Sequence, residues 1–393
     1  MRTLAPALLA LFCGASVALA DPALELVETA PVETVLDHAD LREAADVWRE
    51  MIDGARRSID LGEFYATSQP GSRLEPIIEA LVRAAARGVK VRFIVDAGFA
   101  RAEPETTLRL EKLPGIALRR IDWKALGGGV QHAKYFIVDG ADAYLGSQNF
   151  DWRSLTHIQE LGVRARVPAI AAMLEDVFET DWSLAGGAPP AARVHHETAA
   201  FPLSVDGAQV TPVASPRGWL PDEGWWELPR LVQLIDGARD RVRVQLLTYQ
   251  AAAHGQYFDD LESALRRAAA RGVTIELLIS DWCKRKGCIE GLKSLTVLPG
   301  VTVKLSTIPA ARAGFIPYAR VAHAKYLVVD GARAWVGTSN WERDYFFASR
   351  NVGLIIDGGA LPARLDAFFT DAWTSPYAAC VDPAADYAPP RTH

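Results

Sequence analysis

Two stretches of the chain run through the same order of apolar and polar periods. Gly54-Ala55-Arg56 opens an apolar run that ends at Phe64-Tyr65, and Gly237-Ala238-Arg239 opens a matching run ending at Thr248-Tyr249. A helix-period segment follows each run. The two segments close in nearly the same words, Arg83-Ala84-Ala85-Ala86-Arg87-Gly88-Val89 and Arg267-Ala268-Ala269-Ala270-Arg271-Gly272-Val273. Glycine just past a helix is a stop signal, because it accepts the left-handed conformation that ends the last turn. Strands are predicted next, at Val91–Asp96 and Ile275–Ser280. Strand, helix and strand with short links form a βαβ unit, so each half is expected to be α/β, with a mostly parallel sheet covered by helices. Self-similarity over this distance marks a duplicated unit. The expected boundaries are a first lobe over 46–185, a linker rich in Ala, Gly and Pro over 186–216, and a second lobe over 217–376. Residues 21–45 read as an N-terminal extension and 377–393 as a loose tail.

Each half then carries one chemical motif. The first is His132-Ala133-Lys134-Tyr135-Phe136-Ile137-Val138-Asp139, followed by Gly146-Ser147-Gln148-Asn149. The second is His323-Ala324-Lys325-Tyr326-Leu327-Val328-Val329-Asp330, followed by Gly337-Thr338-Ser339-Asn340. A single short pattern arises by accident; two copies with matched downstream glycines at equivalent places in a repeat do not. The chain has three asparagines, Asn149, Asn340 and Asn351, and all follow a motif histidine.

The motif reads as a strand, where side chains two apart share a face. His132 and Lys134 therefore point together, as do His323 and Lys325. Asp139 and Asp330 fall on the opposite parity and are expected to brace the strands. The turns holding Ser147, Asn149, Thr338 and Asn340 offer backbone N–H, hydroxyl and amide donors to a phosphate. A phosphodiester is a poor electrophile with a poor leaving group, so its hydrolysis calls for a nucleophile, a general acid and fixed donors for the equatorial oxygens. Two histidines supply the first pair, and two lysines with two asparagines supply the donors. The expected intermediate is a phosphohistidine, with no cofactor. Neither a C-x2-C pair nor an H-E-x-x-H helix suggests a metal site.

Composition narrows the setting. Met1 to Ala20 reads as a secretory signal: Arg2, an apolar stretch over Leu4 to Val17, and Ala18-Leu19-Ala20 before Asp21. The expected location is secreted or periplasmic, with no later segment apolar enough to span a bilayer. The formal net charge of −6 gives no global field for polyanions, so duplex DNA is not an expected partner. Cys283, Cys288 and Cys380 remain after signal removal, and three pairings are open.

The paired motifs closely resemble the phospholipase D superfamily. Within it, Asn149-Phe150-Asp151-Trp152-Arg153-Ser154-Leu155-Thr156, Ile316-Pro317-Tyr318-Ala319-Arg320-Val321 and Gly337-Thr338-Ser339-Asn340-Trp341 are similar to animal lysosomal phospholipase D-like proteins. The resemblance implies two pseudo-twofold-related α-β-α-β-α lobes whose motifs meet at one interface. It also implies a 5′ exonuclease on single-stranded DNA or RNA, or lipid transphosphatidylation. A non-catalytic binding protein on the same fold is the alternative from another class.

The family also implies a carboxylate 28 residues after the motif histidine, where it orients the imidazole. That position is Glu160 in the first half and Asn351 in the second. A carboxylate stabilises the imidazolium better than an amide. His132, backed by Glu160, is thus expected to be the general acid and His323 the nucleophile. Tyr65 and Tyr249 are expected at equivalent strand ends facing the site. Trp219, Trp225 and Trp226 read as a packed corner, and Arg153 and Arg320 as phosphate ligands or structural ion pairs. His195-His196 read as solvated linker residues.

Overall fold

The computed structural model describes residues 22–189, 200–253 and 256–393. The expected export signal and His195-His196 lie outside them. Both βαβ units form where the pattern places them. In the first lobe the strand Ser58–Gly62, the helix Glu75–Ala86 and the strand Lys90–Asp96 follow one another, and the two strands pair in parallel. In the second, Arg241–Leu246, Asp260–Ala270 and Thr274–Ser280 repeat the unit. Gly88 and Gly272 sit at φ 90° and 87°, so each helix ends on a residue without a Cβ to resist the turn.

The sheets are mixed, not mostly parallel. The strand bearing each motif returns antiparallel beside the first strand of its βαβ unit: Tyr135–Val138 beside Ser58–Gly62, and Tyr326–Val329 beside Arg241–Leu246. Hairpins continue antiparallel through Asp142–Gly146 to Glu160–Ala165, and through Arg333–Gly337 to Asn351–Gly358. The flanking stretches also join the sheets. Leu24–Thr29, in the expected extension, pairs with Glu160–Ala165; Ala208–Ser215, in the expected linker, pairs with Asn351–Gly358; and Ala378–Cys380, in the expected tail, pairs with Val301–Ser306. Among the described residues the first sheet has eight strands and the second nine.

Alternation along each motif strand divides the core. Tyr135 and Ile137 join Tyr326 and Val328 in one cluster shared by both lobes, with Met173 and Phe178 of the helix Pro168–Ala185 and Phe368 and Phe369 of the helix Leu361–Thr374. Phe136 and Val138 face outward to Trp48 and Leu81 under the first lobe's outer helices. Leu327 and Val329 do the same with Leu231 and Leu265 in the second. The layers thus run α-β-α-β-α, as the resemblance implies.

Two short bridges join the lobes. Gln131 pairs with Arg350, and Gln159 with Ala322. The N–H of His132 donates to the Arg350 carbonyl at 3.0 Å, and the N–H of His323 to the Gln159 carbonyl at 2.8 Å. A fully buried ion pair ties the same region: Arg350 from the second lobe meets Asp181 from the first at 2.8 Å.

Candidate active site

The motif aspartates fix the scaffold. Asp139 and Asp330 each adopt φ 55° at the tip of a hairpin. The Asp139 carboxylate accepts the N–H groups of Arg56, Arg57 and Ser58, and Asp330 those of Arg239, Asp240 and Arg241. Each therefore staples its motif strand to the start of the neighbouring strand, as parity indicates, and neither lines the cavity that holds the histidines.

Regular pairing begins only at Tyr135 and Tyr326, so His132 to Lys134 and His323 to Lys325 form extended arms just before the strands. These arms carry the interlobe bridges, which is why the histidines end up at the seam. His132 and His323 both line one cavity of about 500 Å³, with Phe64, Tyr65, Phe99, Tyr318 and Tyr345 among its walls. Lys134 and Lys325 lie beneath, almost fully buried, and each ammonium donates to the carbonyl of its own motif histidine.

The orienting residues cross over. Glu160 Oε2 lies 2.7 Å from Nδ1 of His323, and Asn351 Oδ1 lies 3.0 Å from Nδ1 of His132. This corrects the expected pairing of Glu160 with His132. The cause is the pair of bridges, which set residues 131–132 beside 350–351 and residues 322–323 beside 159–160. Each histidine is therefore held by the opposite lobe.

The hydrogen bonds fix the tautomers. Asn351 Nδ2 donates to the carbonyls of Tyr345 and Ser349, so its oxygen must face His132 and accept from Nδ1–H. The Thr338 hydroxyl donates to that same oxygen at 2.9 Å. On the other side Ser154 donates to Glu160 Oε1. With Nδ1 engaged on both rings, Nε2 is the atom free to react.

Electrostatics set the two rings apart. Burial and the two nearby lysines hold both imidazoles well below their ordinary value. Burial also raises Glu160 to about 7 and lowers Lys325 to about 7, each countered by the other's charge. His323 thus has a titratable carboxyl beside its Nδ1, whereas the amide beside His132 cannot take up charge.

The remaining candidates divide. Asn149 lines the cavity, and its Oδ1 has no partner among the described residues. Asn340 is fully buried and accepts from Thr248 N–H at 3.3 Å, and its Nδ2 likewise has no partner among them. The Ser147 hydroxyl exchanges hydrogen bonds with the Leu161 backbone. Tyr65 lines the cavity and donates to Asp151 at 2.8 Å, but Tyr249 is core, bonded to Glu262. Strand pairing explains the difference: Ala66 pairs with Phe150 as Tyr249 pairs with Trp341, so Tyr249 matches Ala66, and a slip of one residue faces the other way. Arg153 is bound to Asp151 at the cavity wall, and Arg320 to the carbonyls of Pro309 and Val32. Trp225 is buried; Trp219 meets Trp123 edge-on and Trp226 donates to Phe346. Cys283 and Cys288 form the disulfide, and Cys380 is free.

Sequence reasoning missed Phe64, whose ring lies 5.0 Å from His132 and 4.7 Å from the Lys134 ammonium, and Tyr345, edge-on to His132 at 4.7 Å. No motif flags either residue. Phe64 could have been found from its place at the end of a strand that neighbours the motif strand.

The chain matches the family model described as cardiolipin synthase, PLD-like domain, over residues 48–182 and 231–373. It is 32% identical over 362 residues to phospholipase D Z of Dictyostelium discoideum, covering 84% of this chain and 85% of that protein. It is 31% identical over 414 residues to the 5'-3' exonuclease PLD3 of Homo sapiens, covering 93% and 83%. Among solved structures, phosphatidylserine synthase of Haemophilus influenzae Rd KW20 shares the fold, with a TM-score of 0.62 at 11% identity over 86% of this chain and 85% of that one. Among the described residues no helix is long and apolar enough to cross a membrane. Duplicated motifs, paired histidines at one seam and family matches in both lobes agree: the chain belongs to the phospholipase D superfamily and is a phosphodiester hydrolase.

Proposed function

We propose that this protein is a metal-independent 5′ exonuclease-like phosphodiesterase on single-stranded DNA or RNA, working through a phosphohistidine. The observation that carries the mechanism is the crossed pairing of Glu160 and Asn351. His132, held as the Nδ1–H tautomer by Asn351, attacks phosphorus through Nε2. His323, its Nδ1–H held by Glu160, is the imidazolium once the anionic diester is bound, and gives its Nε2 proton to the departing oxygen as the P–O bond breaks. Water then attacks the phosphohistidine, His323 takes the water proton, and the P–N bond breaks. These roles reverse those expected from the sequence, because the carboxylate sits on the other ring. Lys134, Lys325, Asn149 and Asn340 are the proposed donors to the equatorial oxygens, with Ser147 and Thr338 holding the turns and partners around them.

Two observations support a nucleic-acid substrate. The 5'-3' exonuclease of Homo sapiens aligns with nearly the whole chain. Six of the sixteen residues that line the cavity are Phe, Tyr or Trp, and every base has a face that stacks on such rings. Similarity to phospholipase D Z favours a second reading, transfer or hydrolysis on phospholipid. The residues expected as an export signal and the Cys283–Cys288 disulfide support a secreted or periplasmic location.

The deciding assay uses mature protein in excess EDTA. One arm offers a 5′-hydroxyl single-stranded oligonucleotide and the other phosphatidylcholine with ethanol. Stepwise nucleotide release that disappears in His132→Ala is expected. Phosphatidylethanol in place of nucleotides would make it a lipid enzyme, and activity only without EDTA would end the metal-independent reading.

A further inference from the structure

The two lobes treat their motif lysines differently. In the first, Gly62 pairs with Tyr135 across an antiparallel ladder, so one further step places Glu63 opposite Lys134, on the same face. In the second, Gln245 pairs with Tyr326, and the same step places Leu246 opposite Lys325. Glu63 is 1% exposed, and its Oε2 has no hydrogen-bond partner among the described residues. A buried carboxylate left incompletely bonded costs stability. Leu246, fully buried at the matching place, shows that the fold accepts an apolar side chain there.

We infer that Glu63 is the counterion that keeps Lys134 charged in the empty site, and so a positioning residue for the phosphodiester. The groups acting on Lys134 besides Glu63 are Lys325, which discharges it, and Glu160, which is engaged with His323. His132 and His323 bear on the same lysine, and burial is the first cause that lowers both imidazoles. Tyr135 and Tyr144, on other strands of the same sheet, feel the charge of Glu63 and stay protonated, first of all because they are buried. Among the described residues, Glu63 is thus the one uncommitted carboxylate that bears on Lys134. Burial pushes its own carboxyl well up and the Lys134 ammonium well down, and their mutual attraction opposes both shifts.

This inference rests on Lys134 acting as a phosphate ligand. The test is the pH profile of kcat/KM on bis(p-nitrophenyl) phosphate for the wild type, Glu63→Gln, Glu63→Leu, Glu63→Asp and Lys134→Ala. Without Glu63, Lys134 loses its proton at lower pH. The alkaline limb is therefore expected to move down by about one pH unit or more in Glu63→Gln and Glu63→Leu, because losing a nearby opposite charge shifts a pKa by about that much. Activity at pH 6 should change little, and Glu63→Asp should restore most of the limb. Glu63→Leu should melt no lower than the wild type, which separates a lost counterion from a damaged core. An alkaline limb unmoved in both Glu63→Gln and Glu63→Leu, beside a crippled Lys134→Ala, would overturn the inference alone. Unimpaired turnover in Lys134→Ala would overturn the phosphate-ligand reading and this inference with it.

Discussion

Glu160 and His323 lie 163 residues apart in the chain and on opposite lobes, yet their side chains meet at 2.7 Å with both almost fully buried. A carboxylate here favours the imidazolium form that a general acid needs. Replacing Glu160 by Gln should lower kcat on a substrate with an alkyl leaving group by roughly 10²–10⁴, the usual worth of acid catalysis. A p-nitrophenyl leaving group departs without a proton, so the loss there should be much smaller. Equal losses on both substrates would assign Glu160 a purely structural role.

The crossed partners also predict where phosphate attaches. With a labelled diester quenched during turnover, His132→Ala should carry no covalent label. His323→Ala should still be labelled when the leaving group is p-nitrophenol. Label retained in His132→Ala would return the nucleophile to His323.

The Arg350–Asp181 pair is fully buried, and Arg350 also donates to the carbonyls of Ser215 and Trp219. Removing one partner leaves a buried charge without its counterion. Asp181→Ala should therefore cost about 3–5 kcal/mol in urea unfolding. Because the Arg350 carbonyl holds the His132 N–H, folded variant should also turn over more slowly. A loss under about 1 kcal/mol would mean that water replaces the carboxylate.

Glu227 gives the fold a pH dependence of its own. It is fully buried, accepts from the Ser215 and Ser339 hydroxyls, and is raised by burial from 4.5 to about 7. The folded state prefers the neutral acid, so its contribution is complete below about 4.5 and is lost as pH rises through about 7. The difference is on the order of 3 kcal/mol. The melting temperature should fall between pH 5 and pH 8 in the wild type and fall less in Glu227→Gln. Parallel curves for the two proteins would refute this.

Much of this architecture is legible in residue order. The βαβ units, the helix-ending glycines and the bracing role of Asp139 and Asp330 all follow from period and parity, which are local properties. What the sequence hides is pairing at a distance. Strand direction past the βαβ units is set by how the hairpins return, so the antiparallel part of each sheet goes unseen. The strand Ala378–Cys380 has only three residues, and Leu24–Thr29, with six, breaks its alternation at Leu26-Val27, so neither reads alone. Glu160 and Asn351 are both visible at the right spacing. Nothing in spacing says whether each turns to the histidine of its own half or of the other; two interlobe bridges decide that.

Those bridges carry a consequence for how the two rings divide their labour. Had the lobes been separate, identical copies joined about a true twofold axis, each histidine would face the same residue, and the rings would differ only when an asymmetric substrate arrived. Covalent fusion lifts that constraint. One half keeps an acid, the other exchanges it for an amide, and because the partners are traded across the seam, each substitution retunes the ring of its neighbour. Here the asymmetry is built in before any substrate binds, and a lone half would own a histidine without the residue that gives it a task.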